Sequence, residues 1–369
     1  MFDMVKNIKQ AKKNGAKVIG CFPLYPPLEL IHSFGMMPVV LWDMKEGVRN
    51  LKETDRHLQS FTCSVARRLM EFLLSEEGSL LDGLMMYNAC DTLRNMPEII
   101  NRSLKEKGKT LPLLKLHVPT VSPTQTDTTE YLAERIRELI AEIESISGVR
   151  FSSERFLASV RLYNKTRKLC QEMEALVAEG KMSYVEFTRL IRNGYFMAPE
   201  DNLSALEDAV KKVKSASIKN TSDGKKIIVS GILPPPDALC AIIEEAGMRV
   251  AGNDVSSQAR SYNYIPHETD DPVAYYADFY RNHYPCTTIL YSSDDRLKSI
   301  NALIEKQGVR GLIIIGEKFC EYEYLEMPFI IKMLEQKNIT TLQLEIATDD
   351  DDNVEALRTR IEAFSELIR

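Results

Sequence analysis

The chain has 369 residues, of which 44% are hydrophobic and 27% charged, with a formal net charge of −6. That length supplies two or three cores, and the mild acidity leaves no electrostatic footprint for nucleic acid. No run of about 18 apolar residues marks a membrane span. The basic start MFDMVKNIKQAKKNGAK lacks the apolar stretch of a signal peptide, so a cytoplasmic location is expected.

Near the start, KVIG (17–20) predicts a short strand. YPPLELIHSFG predicts a helix opened by Pro26 and Pro27 and closed by Gly35, and MPVVLW a second strand. DRHLQSFTCSVARRLMEFLLSEEG (55–78) has helical periodicity throughout and ends at Gly78. LLDGLMMYN is a strand, DTLRNMPEIINRSLKEKG mostly helix, and TLPLLKLHVP a strand. Strands alternating with helices indicate a parallel α/β sheet. From about 128 to 218 the pattern turns wholly helical, with Ser or Thr starts and Gly ends, and the polar SIKNTSDGKK reads as a linker. From 225 the alternation resumes: KKIIVSG, MRVAGND, VRGLIIIGE and ITTLQLEI as strands, with TTILYSS as a further candidate. PPPDALCAIIEEAG, DDRLKSINALIEKQG, EYLEMPFIIKMLEQKN and NVEALRTRIEAFSELI are the matching helices. The expected organisation is an N-terminal α/β lobe over 1–127, a helical segment over 128–222 and a C-terminal α/β lobe over 223–369.

The chemistry-bearing residues are the seven cysteines: Cys21, Cys63, Cys90, Cys170, Cys240, Cys286 and Cys320. An odd count without a CxxC pair argues against a disulfide framework or a zinc ribbon. Cys90 and Cys320 each follow a hydrophobic strand and open a helix. In open α/β sheets ligands settle beyond the carboxyl ends of strands. A helix N-terminus also lowers a thiol's pKa and favours the metal-binding thiolate. Cys63 precedes Cys90 by one helix and one strand, which can bring it to the same sheet edge. The competing reading is that all seven are ordinary buried thiols. Cys170 and Cys240 fit that reading best, and Cys286, after Pro285 at a loop-to-strand entry, joins them.

Other signals are weaker. Glu29 and His32 lie three apart on one helical face, a surface pair with catalytic acid or base as the minority reading. Asp91 and Glu321 each follow a strand-end cysteine and suggest helix caps, while Tyr25 beside prolines suggests packing. GILPPPD (231–237) lacks the glycine and lysine pattern of a nucleotide loop, and TDDDDN (348–353) reads as a solvated cap.

GCFPLYPPLELIHSFGMMPVVLW, RHLQSFTCSVARRL, LLDGLMMYNACDTLRNM and KFCEYEYLEMPFIIKMLEQKNITTLQLE occur in that order. Together they resemble the 2-hydroxyacyl-CoA dehydratase and benzoyl-CoA reductase family, in its β-type (D-component) subunit. The resemblance implies two Rossmann-like lobes with an iron–sulfur cluster between them, normally 4Fe–4S, held by cysteines that match Cys63, Cys90 and Cys320. It also implies a related α-type partner subunit or a second copy, an ATP-hydrolysing iron–sulfur activator and an acyl-CoA substrate. The implied reaction removes water from (R)-2-hydroxyacyl-CoA through a ketyl radical after one-electron activation; ring reduction is the alternative within the family. Cys21 stands where β-type relatives carry an aromatic residue. It is either an extra ligand, as a double-cubane cluster would require, or a buried thiol, the favoured reading. A cluster-free binding scaffold is the non-catalytic alternative.

Overall fold

Two four-stranded sheets with the same internal order organise the chain. The computed structural model describes residues 4–368 apart from 43, 45–47, 49, 120–125, 216–223, 290–292 and 348–353. After the amphipathic helix α1 (Met4–Lys13), β1 (Val18–Phe22) is flanked in parallel by β2 (Met37–Val40) and β3 (Gly83–Tyr87). The strand β4 (Leu113–Leu116) extends β3, giving the order β2-β1-β3-β4. Helices α2 (Leu28–Ser33), α3 (Ser64–Leu74) and α4 (Asp91–Glu106) connect these strands. The strands β1, β2 and β3 are buried at every position, which is why their sequences run apolar rather than alternating.

Four helices follow: α5 (Thr126–Ser147), α6 (Ser153–Ala178), α7 (Tyr184–Gly194) and α8 (Pro199–Ser215). The second sheet then repeats the first. Its strands β5 (Lys225–Gly231), β6 (Met248–Val255), β7 (Gly311–Glu317) and β8 (Thr340–Ile346) take the order β6-β5-β7-β8, all parallel. The remaining helices are α9 (Asp237–Glu245), α10 (Ala259–Tyr262), α11 (Pro272–Asn282), α12 (Ser293–Gln307), α13 (Glu321–Glu335) and α14 (Val354–Leu367). Gly231 lets β5 approach β7 closely, since a Cβ there would meet the Ile315 carbonyl oxygen at 2.3 Å. The long helix α6 is the strut of the molecule, packing against α2, α8 and β6 at once. No described helix is long and apolar enough to cross a membrane.

The chain departs from the sequence expectations in three places. The periodic stretch 55–78 is not one helix: Thr54–Arg56 forms a single 3-10 turn, and α3 starts only at Ser64, ending at Leu74. Helices α10 and α11 went unread, although Asp271 accepts from the Val273 amide with Pro272 in the first turn, an ordinary N-terminal signal. TTILYSS is not a strand where it is described, because Thr287–Ile289 form a turn. The linker SIKNTSDGKK, apart from its last residues, and the acidic run TDDDDN lie outside the described residues.

Each sheet runs from its first strand to one side and then crosses to the other. The order therefore reverses beside β1 and β3 in one sheet and beside β5 and β7 in the other. The crevice beyond the carboxyl ends at such a reversal is where open α/β sheets bind ligands.

Candidate functional site

Cys90 follows β3 and Cys320 follows β7, so both thiols stand at these reversal points. Cys63, Cys90 and Cys320 are all N-cap residues, of α3, α4 and α13 respectively. Each is a free, half-buried cysteine. First-turn amides approach the sulfurs: those of Ala66 and Val65 at Cys63, Leu93 and Thr92 at Cys90, and Glu323 at Cys320. Three helix N-termini thus present positive dipole ends to three sulfurs.

The expectation of depressed thiol pKa values is corrected here. Burial outweighs the amides at all three positions and pushes the thiols up, Cys63 to about 12. Neighbouring negative charge adds to it. Glu317 and Cys90 act on Cys63, Asp91 and Glu321 on Cys90, and Glu323, Cys63 and Cys90 on Cys320. Ser64, next to Cys63, bonds Glu317, three residues before Cys320, so these two cysteines approach each other from the two halves of the chain, and Cys90 lies near enough to act on both. They do not converge on one point: no described group of three His, Cys, Asp or Glu side chains is arranged for a single metal ion. A cluster takes each thiolate at a different iron, and its positive charge would reverse the protonation that burial favours. Three half-buried thiols, each at a helix N-terminus, are a donor set that fits such a group.

Asp91 and Glu321 are not the caps, since the cysteines occupy those positions. Asp91 lies in the first turn of α4 within 3.4 Å of Arg94, and Glu321 is exposed in the first turn of α13. Behind the cysteines the lobes are tied by Glu317, whose Oε1 accepts from the Ser64 amide at 2.8 Å and the Ser64 hydroxyl at 2.6 Å. Glu323 is fully buried. Its Oε2 accepts from the Glu317 amide at 3.2 Å, and its Oε1 has no partner among the described residues. Burial raises its pKa, against the pull of Arg296 and Arg260.

Those arginines belong to an ionic hub that the sequence did not reveal. Asp254, at the end of β6, accepts from Arg260 through both oxygens at 2.9 and 2.8 Å. It also takes Arg296 at 3.2 Å and Ser230 at 2.7 Å, and Arg296 reaches Glu326 as well. All of these groups are buried. Cys286 joins the hub. Its sulfur lies 3.4 Å from the Tyr25 hydroxyl, 3.5 Å from Ser256 Oγ, 3.5 Å from Arg260 Nη1 and 3.2 Å from Thr288 Oγ1. Burial would raise this thiol, but the Arg260 charge and the surrounding hydroxyls win and hold it below the ordinary value. The thiol read as structural is the one whose surroundings favour the anion. A cysteine followed by Thr287 and Thr288 offered no signal of Arg260, which reaches it from another element.

The minority reading of Glu29 and His32 as acid or base finds no unspent atoms. Glu29 is 2% exposed and accepts from Arg167, from the Tyr275 hydroxyl at 2.9 Å and from the Tyr276 hydroxyl at 3.1 Å. His32 bonds Ser159 at 2.8 Å through Nδ1 and Glu200 at 3.0 Å through Nε2. Both residues fasten α2 to its neighbours. Tyr25 does more than pack: its hydroxyl donates to the Ser256 carbonyl at 2.7 Å, bridging the lobes. Cys21 is buried in the middle of β1, where burial pushes its thiol far up, as it does for Cys170 and Cys240.

Comparison with known proteins gives the family. The family model described as 2-hydroxyglutaryl-CoA dehydratase, D-component, matches residues 23–368. The chain is 26% identical to the (R)-phenyllactyl-CoA dehydratase beta subunit of Clostridium sporogenes, over 99% of this chain and 97% of that one. It is 27% identical to the beta subunit of the (R)-2-hydroxyglutaryl-CoA dehydratase of Acidaminococcus fermentans, over 96% and 93%. It is 23% identical to one of the benzoyl-CoA reductase subunits of Thauera aromatica, over 96% and 91%. With a match across nearly its whole length and both sheets in place, the chain belongs to the 2-hydroxyglutaryl-CoA dehydratase D-component family.

Proposed function

We propose that the chain is the iron–sulfur subunit of a 2-hydroxyacyl-CoA dehydratase, a hydro-lyase, and that Cys63, Cys90 and Cys320 hold a 4Fe–4S cluster between its lobes. The observation that carries this reading is that Cys63, Cys90 and Cys320 each stand at the N-cap of a helix, Cys90 and Cys320 beyond the carboxyl ends of β3 and β7, while Ser64, next to Cys63, bonds Glu317 at the end of β7. Beta subunits among its relatives support a related α-type partner, with which this chain would form a heterodimer. When bound, the cluster supplies one-electron chemistry at low potential and an iron without a cysteine ligand. The protein's own contributions are then clear. The amides of α3, α4 and α13 stabilise thiolate charge, Glu317 and Ser64 hold the lobes at fixed separation, and the buried walls exclude water. An ATP-hydrolysing activator as electron source and an (R)-2-hydroxyacyl-CoA as substrate complete the proposal.

Anaerobic purification followed by iron and sulfide analysis tests it. The expected result is about four irons per chain, lost on Cys90→Ser with the far-ultraviolet circular dichroism unchanged. A folded, colourless wild type, or full iron in the variant, would overturn it. About eight irons would replace the cubane by a double-cubane cluster. Against that larger cluster, Cys21 lies fully buried within β1.

A further inference from the structure

Away from the cysteines, a cavity of about 130 Å³ opens where α6 and α8 meet the segments after β1 and β2 and the turn at α10. Its wall is mainly apolar and holds five aromatic residues, Tyr25, Tyr163, Tyr195, Tyr262 and Phe279. Arg167 is the charged group in the wall, and its charge is already answered. It pairs with Glu29, and its Nη1 also donates to Asn164 at 3.0 Å and Tyr275 at 3.1 Å. An incoming anion would meet the Glu29 carboxylate behind that arginine.

Most polar groups of the lining are also spent. The hydroxyls of Tyr25 and Tyr195 donate to the carbonyls of Ser256 and Ser257, and that of Tyr262 to Glu174. Thr166 and Ser261 bond backbone carbonyls nearby. Two side chains remain without hydrogen-bond partners among the described residues, the Tyr163 phenol and the Asn202 amide. Burial and the nearby Glu29 charge raise the Tyr163 pKa, so its phenol stays a neutral donor. Gly194 leaves room for Asn202, because a Cβ there would meet Asn202 Oδ1 at 2.5 Å.

We infer that this cavity is a binding site for a neutral, mainly apolar molecule about the size of one six-membered ring, carrying one hydroxyl or carbonyl that meets Tyr163 and Asn202. The size follows from volume: an apolar protein cavity of about 150 Å³ admits benzene, whereas drug-sized ligands occupy about 300 Å³ or more. A coenzyme A moiety does not fit. The neutrality follows from the Glu29–Arg167 pair, and the single polar group from the two unspent side chains. The inference goes beyond the cluster reading and does not rest on it, since every group involved is this chain's own and no iron enters the test.

The experiment is ligand-observed saturation-transfer NMR on the full chain, with benzyl alcohol, toluene and benzoate as probes. Benzyl alcohol and toluene are expected to bind, and benzoate at least about tenfold more weakly. Tyr163→Phe is expected to weaken benzyl alcohol about fivefold, the worth of one hydrogen bond, and to leave toluene unchanged. Met197→Trp, which fills the cavity from its half-buried wall, is expected to abolish both. Should that variant fail to fold, a wild-type crystal soaked in bromobenzene gives the same answer through a bromine peak inside the cavity. Absence of binding by both neutral probes, equal binding by benzoate, undiminished binding to a folded Met197→Trp, or bromine only elsewhere would each overturn the inference.

Discussion

Ser64 and Glu317 join the two lobes through one carboxylate oxygen, which accepts both the amide and the hydroxyl of Ser64. Ser64 directly follows Cys63, and Glu317 ends β7 three residues before Cys320. The pair therefore fixes the spacing of two thiols from opposite lobes. Removing the hydroxyl with Ser64→Ala leaves a buried carboxylate short of a donor and should cost about 1–3 kcal/mol. Urea denaturation reads the loss. A variant as stable as wild type would show that the tie carries no energy.

The Asp254–Arg260–Arg296 hub makes a second prediction. Arg260 has no exposed side-chain surface and serves Asp254, Ser256 and Cys286 together. Arg260→Met should destabilise by about 3–5 kcal/mol, because it leaves the buried Asp254 carboxylate with only the longer Arg296 contact to balance it among the described residues. It should also raise the pH at which the Cys286 thiol ionises, read as the thiolate absorbance that Cys286→Ser removes from the ultraviolet titration. An unchanged titration in Arg260→Met would refute the role of Arg260 in lowering that thiol.

His283 gives the molecule an acid-side weakness. Its ring lies 4.3 Å from that of Tyr25, its Nδ1 meets the Tyr284 carbonyl, and its Nε2 is buried without a partner among the described residues. Burial first, with Arg167 and Arg260 adding to it, lowers its pKa to about 3. The unfolded chain binds this proton below about 6.5, while the folded chain does so only near 3. Stability from this group is therefore present above about 6.5 and is lost as pH falls toward 3, a change on the order of 5 kcal/mol. His283→Phe should flatten the pH dependence of the melting temperature in that window. An unchanged slope would mean that His283 protonates in the folded state.

Phe319 is held at φ 65°, a left-handed conformation costly for a bulky residue, and is 46% exposed. The strain sits one residue before Cys320. Phe319→Gly should relieve it and stabilise the fold by up to about 1 kcal/mol, because little buried surface is lost. A loss above about 1 kcal/mol would show that the ring packs more than its exposure suggests.

The parts of the molecule legible in sequence are those set by local pattern. The apolar runs GLMMY and GLIIIGE could only be buried strands, and each ended in a cysteine and a helix, so the placement of Cys90 and Cys320 followed. The start of α3 did not follow, because the carboxylate that engages its first amide comes from Glu317 in the other lobe. The hub was invisible for a related reason. Asp254, Arg260, Arg296 and Glu326 look like surface charges until the fold brings them together. The amides expected to acidify the cysteines are present, but the depth at which the thiols sit could not be read from spacing.

Glu29 lies on α2, Arg167 on α6, and Tyr275 and Tyr276 on α11, so one buried carboxylate is gripped from the N-terminal lobe, the helical segment and the C-terminal lobe. A clamshell opening of the two sheets would have to strip this carboxylate of its partners in a dry interior, which is costly for any buried charge. The grip on Glu29 therefore opposes any motion that parts the two sheets, and shifting loops and side chains at the rim exposes the thiols at lower cost than swinging the sheets apart.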